Sequence, residues 1–408
     1  MRLETRRIFL RRSVGVAVAA PIGFALCREL RANAGAEGLP PHARRKLLAA
    51  VPFVDEGDFP LGAVVGSGLG GRLALDLSTL TPDTLITPNE RFFIRTLCPD
   101  QLRFNGSWMI SVRGLVQAPM ELPLEDLAPH AVPLGTHLIE CAGNTREGHY
   151  GLISAAKWTG IPISKVLEQV RILPRATRVL IGGFDKHSQP DSGSLPGASW
   201  IFTLEQLQAS GAFLATRMNG APLPKDHGYP LRLVVPGWYG CACIKWVNEI
   251  ELLDDEAPAT GQMWEYAGRT HQDAFRSSAF GATRAFERSF QPLLARDFKP
   301  ASIDLAAVPV RVEKWLVEGE RVYQVAGILW GGDRLTKTLV IRFNPDARFM
   351  PVEDYAHKTN ATWTLWSHTF RPDAPGRYRI QLAVSGEPVR TRRLDTGFYA
   401  RTIDITEV

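Results

Sequence analysis

After Ile303 the chain alternates apolar and polar residues in six short runs: Val308–Val312, Arg321–Trp330, Thr338–Phe343, Trp363–Phe370, Gly376–Val384 and Ala400–Ile405. A period of two residues turns one face of a strand inward and the other to solvent. So many short strands in so short a stretch predict an immunoglobulin-like β-sandwich over residues 301–408. The preceding part has another texture. Residues 81–256 mix short strands (Phe92–Arg95, Trp108–Val116, Thr136–Glu140, Arg178–Gly182, Tyr229–Pro236, Ile244–Leu253) with short helices (Leu122–Leu127, Ile163–Val170, Leu204–Ser210). The whole is an α+β protein, a mixed domain followed by the sandwich. Residues 35–80 read as a poorly structured lead-in. Its glycine-rich run, Gly62–Gly71, lacks the preceding strand and the following Lys-Ser/Thr of a phosphate loop, and reads as a flexible loop. Residues 257–300, with few strand signals, read as a connecting segment.

The N-terminus reads as an address. Thr5-Arg6-Arg7-Ile8-Phe9-Leu10-Arg11 carries a twin-arginine pair, Val14–Leu26 is apolar, and Ala32-Asn33-Ala34 is a small-x-small cleavage site. That order predicts a signal peptide over residues 1–34 and a periplasmic destination. The apolar run is shorter than the roughly 20 residues that a membrane span needs, so no stable membrane anchor is expected. Twin-arginine export carries folded proteins, many of them already loaded with a cofactor. The formal charge is +5, with the basic residues scattered rather than gathered in an aromatic-lined stripe, which excludes a nucleic-acid reader.

Five cysteines occur, and Cys27 falls within the signal peptide. Cys241 and Cys243 are too close in sequence for an unstrained bridge. There is no CxxCH for haem attachment and no pair of CxxC motifs for zinc or iron–sulfur. A redox enzyme with this sequence would pass its electrons to a separate protein.

Cys141 ends a strand and opens a turn of Ala142, Gly143 and Asn144, with Arg146 five residues on. Neighbouring cations favour thiolate, which serves as nucleophile or soft metal ligand. A buried structural cysteine is the third reading. Further cations stand next to glycine or proline: Arg95, Arg146, His149, Lys245, and the pair His227 and Arg232 around Gly228-Tyr229-Pro230. Arginine forks suit phosphates and oxyanions, so the set points to an anion.

Longer motifs carry a resemblance. Thr87-Pro88-Asn89-Glu90-Arg91-Phe92-Phe93-Ile94-Arg95, Glu140-Cys141-Ala142-Gly143-Asn144, Gly151–Gly160, Asn219–Gly237 and Lys245-Trp246 follow one another in the order found in the sulfite oxidase family of molybdopterin-dependent oxidoreductases, which they resemble. The C-terminal part resembles that family's dimerisation domain. The resemblance implies a sulfite oxidase fold, a molybdenum–molybdopterin cofactor and Cys141 as the protein's ligand to the metal. It implies that Arg95 and Arg146 line the oxyanion pocket. Phe93, Thr96 and Asp185 would face the cofactor, and His227, Arg232, Cys243, Ile244 and Lys245 would hold its pterin phosphate. It further implies sulfite as substrate, a c-type cytochrome as external acceptor and a homodimer.

Several positions depart from the family. Arg95-Thr96-Leu97 stands where Arg-Asn-His is common. Gly240-Cys241-Ala242-Cys243 replaces Gly-x-Arg-His. The pocket tryptophan has no counterpart, with His149 near its place, and Ala198, Ser199 and Trp200 stand where a pocket tyrosine is expected. Residues Arg342–Tyr355 lack the Asp-Gly-Gly-x-x-Trp pattern. These changes cluster at the pocket and leave two other activities open: reduction of a methionine sulfoxide type substrate, or cofactor binding as a subunit of a sulfur-oxidation complex.

Overall fold

The computed structural model describes residues 45–103, 106–184, 197–272 and 294–408. The signal peptide, Asp185 and residues 273–293 of the connecting segment lie outside the described residues.

Two sheets build the mixed domain. One runs Ser199–Thr203, Arg178–Gly183, Val247–Leu253, Met109–Gly114 and Met120–Pro123, with a parallel pairing only between Val247–Leu253 and Met109–Gly114. The other runs Ala221–Pro222, Phe213–Met218, Ile153–Pro162 and Val132–Glu140, with Arg232–Val234 also on Phe213–Met218. Short helices follow strands where the chemistry stops them. Pro162, which cannot donate to a ladder, precedes helix Ile163–Leu167. Thr203 caps helix Leu204–Ala209, its hydroxyl accepting from Gln206 while the Gln206 side chain returns to the Thr203 amide.

Two more sheets face each other as a β-sandwich, and all six alternating runs appear in it as strands. Long antiparallel strands, Ala306–Val317 and Glu320–Trp330, form its spine. The lead-in expected to be poorly structured instead completes both sheets: Arg45–Val51 pairs with Ala306–Val317, and Phe53–Val54 pairs with Arg401–Ile405. Arg45-Lys46-Leu47-Leu48-Ala49-Ala50-Val51 alternates too weakly to reveal this, because it covers an edge and only partly buries its side chains.

The glycine-rich run is also ordered into the fold. Val64–Val65, Arg72–Leu73 and Ile94–Arg95 form a small antiparallel sheet, with a 3-10 turn at Gly68–Gly70. One continuous apolar core joins Ile110, Val179, Leu214 and Trp238 of the mixed domain to Ala301, Val308 and Trp330 of the sandwich. No helix among the described residues is long and apolar enough to cross a membrane.

Candidate molybdopterin site

Strand Val132–Glu140 delivers Cys141 to the edge of its sheet. The turn after it closes on itself. The Asn144 amide donates to the Cys141 carbonyl at 2.9 Å, and the Cys141 amide donates to Leu152 at 2.9 Å. The Asn144 side chain accepts from the Leu152 amide at 3.0 Å and donates to Glu140 Oε1 at 3.3 Å. The Gly143 amide donates to Cys141 Sγ at 3.3 Å. Glu140, Cys141, Gly143 and Asn144 therefore each have a local task.

Cys141 opens into a solvent-connected cavity. Of the residues singled out in the sequence, Phe93, Arg95, Thr96, Cys141, His227, Arg232, Cys243, Ile244 and Lys245 all line it. Phe93 is pinned by its amide donating to Ser154 Oγ at 3.0 Å. Lys245 Nζ donates to the carbonyls of Thr96 and Asp226, tying three separate segments together. His227 Nε2 donates to the Asn89 carbonyl at 3.1 Å, and its ring lies edge-on to Phe92. Gly228 stands between them at φ +106°, where a Cβ would come within 3.0 Å of Arg232 Cβ and 3.2 Å of the Lys245 Cα. Glycine alone allows this approach.

His227, Arg232 and Lys245 crowd one buried corner. Burial first, then Arg232 and Lys245, bring His227 down to about 3, so the imidazole is neutral there. Arg232 is buried too, and its Nε has no hydrogen-bond partner. Buried donors and like charges gathered this way fit a bound phosphate. Among the described residues no three His, Cys, Asp or Glu side chains converge on one point. A soft metal held at Cys141 would thus take its remaining ligands from a non-protein group. The donor set fits a molybdenum–pterin dithiolene with its phosphate in the His227 corner.

Two expectations differ. Arg146 does not line this cavity: its Nη2 donates to the Ala400 carbonyl at 2.9 Å, because the 3-10 turn Arg146–Gly148 faces the sandwich. His149 does not take the tryptophan's place in it either, since its Nδ1 meets Glu56 at 2.9 Å. Asp185 lies outside the described residues. All four cysteines among the described residues are free thiols, so Cys241 and Cys243 are not bridged.

Other pocket residues escaped the sequence reading. Although Ala198, Ser199 and Trp200 stand where the tyrosine is expected, a tyrosine is present: Tyr266, from the end of helix Gly261–Glu265, which Thr260 caps. Burial pushes its phenol up, Arg95 opposes, and Cys141 adds to the rise. The Arg269 guanidinium lies 5.4 Å from the Tyr266 ring. From the sandwich side, Arg393 Nη2 donates to Ala142 and to Arg269, both at 2.9 Å. No periodic pattern marks residues 257–272; only the Thr260 cap was a readable signal.

Residues 98–261 match the family model described as oxidoreductase molybdopterin binding domain. Mitochondrial sulfite oxidase of Rattus norvegicus is 28% identical over 269 residues, 62% of this chain and 49% of that protein. Nitrate reductase [NADPH] of Aspergillus niger is 31% identical over 195 residues, 44% of this chain and 22% of that protein. The chain spans about half the length of the curated sulfite oxidases it matches. Across 97% of this chain and 96% of the other, the fold is like that of the sulfane dehydrogenase SoxCD from Paracoccus pantotrophus, with a TM-score of 0.60 and 18% identity. Fold and site together define a molybdopterin-binding oxidoreductase. Within that class the chain is similar to the sulfite oxidases, across 62% of its own length.

Proposed function

We propose that this chain is an exported dehydrogenase of a sulfur oxyanion, with sulfite as the first candidate. The observation that carries the reading is the shared cavity: Cys141 and the oxyanion-binding type of side chain, Arg95 with Tyr266, open into the same space as the buried His227, Arg232 and Lys245 corner. When bound, the molybdenum–pterin group supplies the two-electron, oxygen-atom chemistry. The protein supplies holding and field. Cys141 offers a thiolate supported by the Gly143 amide. His227, Arg232 and Lys245 hold the phosphate end. Arg95 and Tyr266 orient the oxyanion, and the positive field draws anions in. Overall, sulfite and water give sulfate, two protons and two electrons. An external c-type cytochrome would accept the electrons one at a time. The twin-arginine N-terminus supports a periplasmic setting, and the β-sandwich supports a homodimer.

The test is sulfite-dependent ferricyanide reduction by the purified protein, with molybdenum measured on the same sample. Activity that vanishes in Cys141→Ser supports the reading. Full molybdenum without sulfite oxidation rejects it.

A second reading has its own support. The likeness to SoxCD extends over both domains, and Ala242 and Cys243 remove positive groups from the family pattern. These favour a subunit of a sulfur-oxidation assembly that acts on sulfane sulfur. Activity on a protein-bound sulfane sulfur and none on free sulfite would select it.

A further inference from the structure

Arg393 reaches from the sandwich to the Cys141 turn. It belongs to the short helix Arg392–Asp395, whose place is fixed twice. Arg392 Nε and Nη2 donate to the buried Asp304 carboxylate at 2.7 and 2.9 Å. The Arg393 carbonyl accepts from the Thr396 hydroxyl at 2.9 Å and from the Phe398 amide at 3.1 Å. From that base the Arg393 guanidinium lies against two rings, 5.1 Å from the Tyr239 centroid and 5.2 Å from the Phe398 centroid. A cation this close to an aromatic face is attracted to it, so the rings hold the fork in one direction.

At the tip a single nitrogen serves two segments. Arg393 Nη2 donates to the Ala142 carbonyl and to the Arg269 carbonyl, both at 2.9 Å. That nitrogen carries two hydrogens, one for each acceptor, and a cationic donor makes the stronger class of hydrogen bond. Ala142 directly follows Cys141, and Arg269 stands one turn beyond Tyr266. Cys141 and Tyr266 both line the cavity. Each acceptor also sits in a turn closed on its cavity residue. The Asn144 amide donates to the Cys141 carbonyl at 2.9 Å, and the Thr270 amide donates to the Tyr266 carbonyl at 2.9 Å. The two turns touch directly as well, since a Cβ on Gly143 would lie 3.4 Å from Arg269 Nη1.

We propose that Arg393 is a positioning residue that clamps the Cys141 turn to the Tyr266 turn, and so sets the separation of Cys141 and Tyr266 in the cavity. Residues 98–261, which match the family model, contain neither Tyr266 nor Arg393. The sandwich thereby takes a part in shaping the site besides supporting it. The inference rests on reading the cavity as a molybdopterin site with Cys141 as the ligand to the metal.

The experiment is hydrogen–deuterium exchange read by mass spectrometry on the purified holoenzyme, in the peptides that carry Asn144 and Thr270. Arg393→Met keeps the length and removes the donors. It is expected to speed exchange in both peptides at least about tenfold, the factor that matches loss of a charge-assisted hydrogen bond. Both bonds leave from one nitrogen, so the ammonium of Arg393→Lys can make them again and is expected to restore most of the protection. Val325→Ala opens the buried core of the sandwich away from both turns, and is expected to leave both peptides slow. The thiolate-to-metal absorption band of the same samples is expected to shift in Arg393→Met and to return in Arg393→Lys. Should Arg393→Met not fold, Arg393→Gln, too short to span both carbonyls, carries the same expectation. Exchange within about twofold of wild type in the folded variant overturns the proposal. Equal acceleration in Val325→Ala overturns it too. Cys141→Ser reads the underlying assignment: full molybdenum with an unchanged band there rejects Cys141 as the ligand, while fast exchange in Arg393→Met still upholds the clamp.

Discussion

Trp330 Nε1 donates to Glu140 Oε2 at 2.8 Å, with both side chains buried. Trp330 ends a long strand of the sandwich, and Glu140 immediately precedes Cys141, so this bond fastens the sandwich to the Cys141 turn. Asn144 donates to Oε1 at 3.3 Å and the Tyr399 hydroxyl meets the same oxygen at 3.4 Å. Burial pushes the Glu140 carboxyl up, while Arg393 and the three donors act against that. Removing a carboxylate that serves several buried donors leaves them unsatisfied, at about 1–3 kcal/mol each. Glu140→Ala is expected to lose at least about 3 kcal/mol of stability. Trp330→Phe, which removes one donor, is expected to lose about 1–3 kcal/mol. Urea unfolding with an unchanged slope checks both.

His227 gives the cofactor-free protein an acid-sensitive corner. Its pKa is lowered from 6.5 to about 3, by burial first and then by Arg232 and Lys245. Between those values the unfolded chain binds a proton that the folded chain does not. The stabilisation is complete above about pH 6.5 and is lost as pH falls toward about 3. The slope approaches about 1.4 kcal/mol per pH unit. Denaturant titrations from pH 7 to pH 4 should show this slope, and His227→Gln should flatten it. Cofactor loading should flatten it as well, because a bound phosphate favours the imidazolium. Equal slopes in wild type and His227→Gln would place the acid sensitivity elsewhere.

The sandwich and the Cys141 turn were legible because each rests on local pattern. Alternation marks the strands after Ile303, and in Glu-Cys-Ala-Gly-Asn every residue but Ala142 makes a bond within its own turn or to the adjoining strand. The cavity's remaining members depend on distant pairings. Tyr266 reaches it through a short helix set down by the Thr260 cap. Strand Arg45–Val51 pairs with Ala306–Val317, more than two hundred residues away, and no window of sequence contains both. Arg146 was misplaced for a related reason. Its spacing from Cys141 is local, but its direction is set by the Ala400 carbonyl of the sandwich.

The N-terminal segment is locked to the C-terminal strand by a buried ion pair. Arg401 Nε donates to Glu56 Oε1 at 2.6 Å, its Nη2 donates to Oε2, and its guanidinium lies 3.6 Å from the Phe53 ring. Removing one partner strands the other charge in a dry site, typically at a cost of about 3–5 kcal/mol. Glu56→Ala is expected to fall in that range, since Arg401 would keep only the Pro309 carbonyl at 2.9 Å and the Phe53 face. Replacing both with apolar residues, Glu56→Leu with Arg401→Met, is expected to recover much of the loss. Thermal unfolding of the two single variants and the double variant forms the cycle. A double variant as unstable as the sum of the singles would mean that the pair does not act as a unit.

Gly183 sits where the sheet passes beneath the cofactor corner. A Cβ there would run into the Lys245 carbonyl oxygen and come within 2.9 Å of Ile244 Cγ2. Backbone obstructs here, so the strain cannot be relieved by turning a side chain. Overpacking of this kind costs about 1–3 kcal/mol. The larger consequence falls on Lys245, whose Nζ joins the Thr96 and Asp226 carbonyls across the cavity. Gly183→Ala is expected to lower molybdenum content per protein several-fold while the chain still folds. Gly148→Ala is the matched control, because a Cβ at Gly148 meets nothing within 4 Å. Metal analysis and melting curves on the same preparations separate the two effects. Full molybdenum in Gly183→Ala would show that the Ile244-Lys245 backbone can retreat without loosening the corner that holds the phosphate.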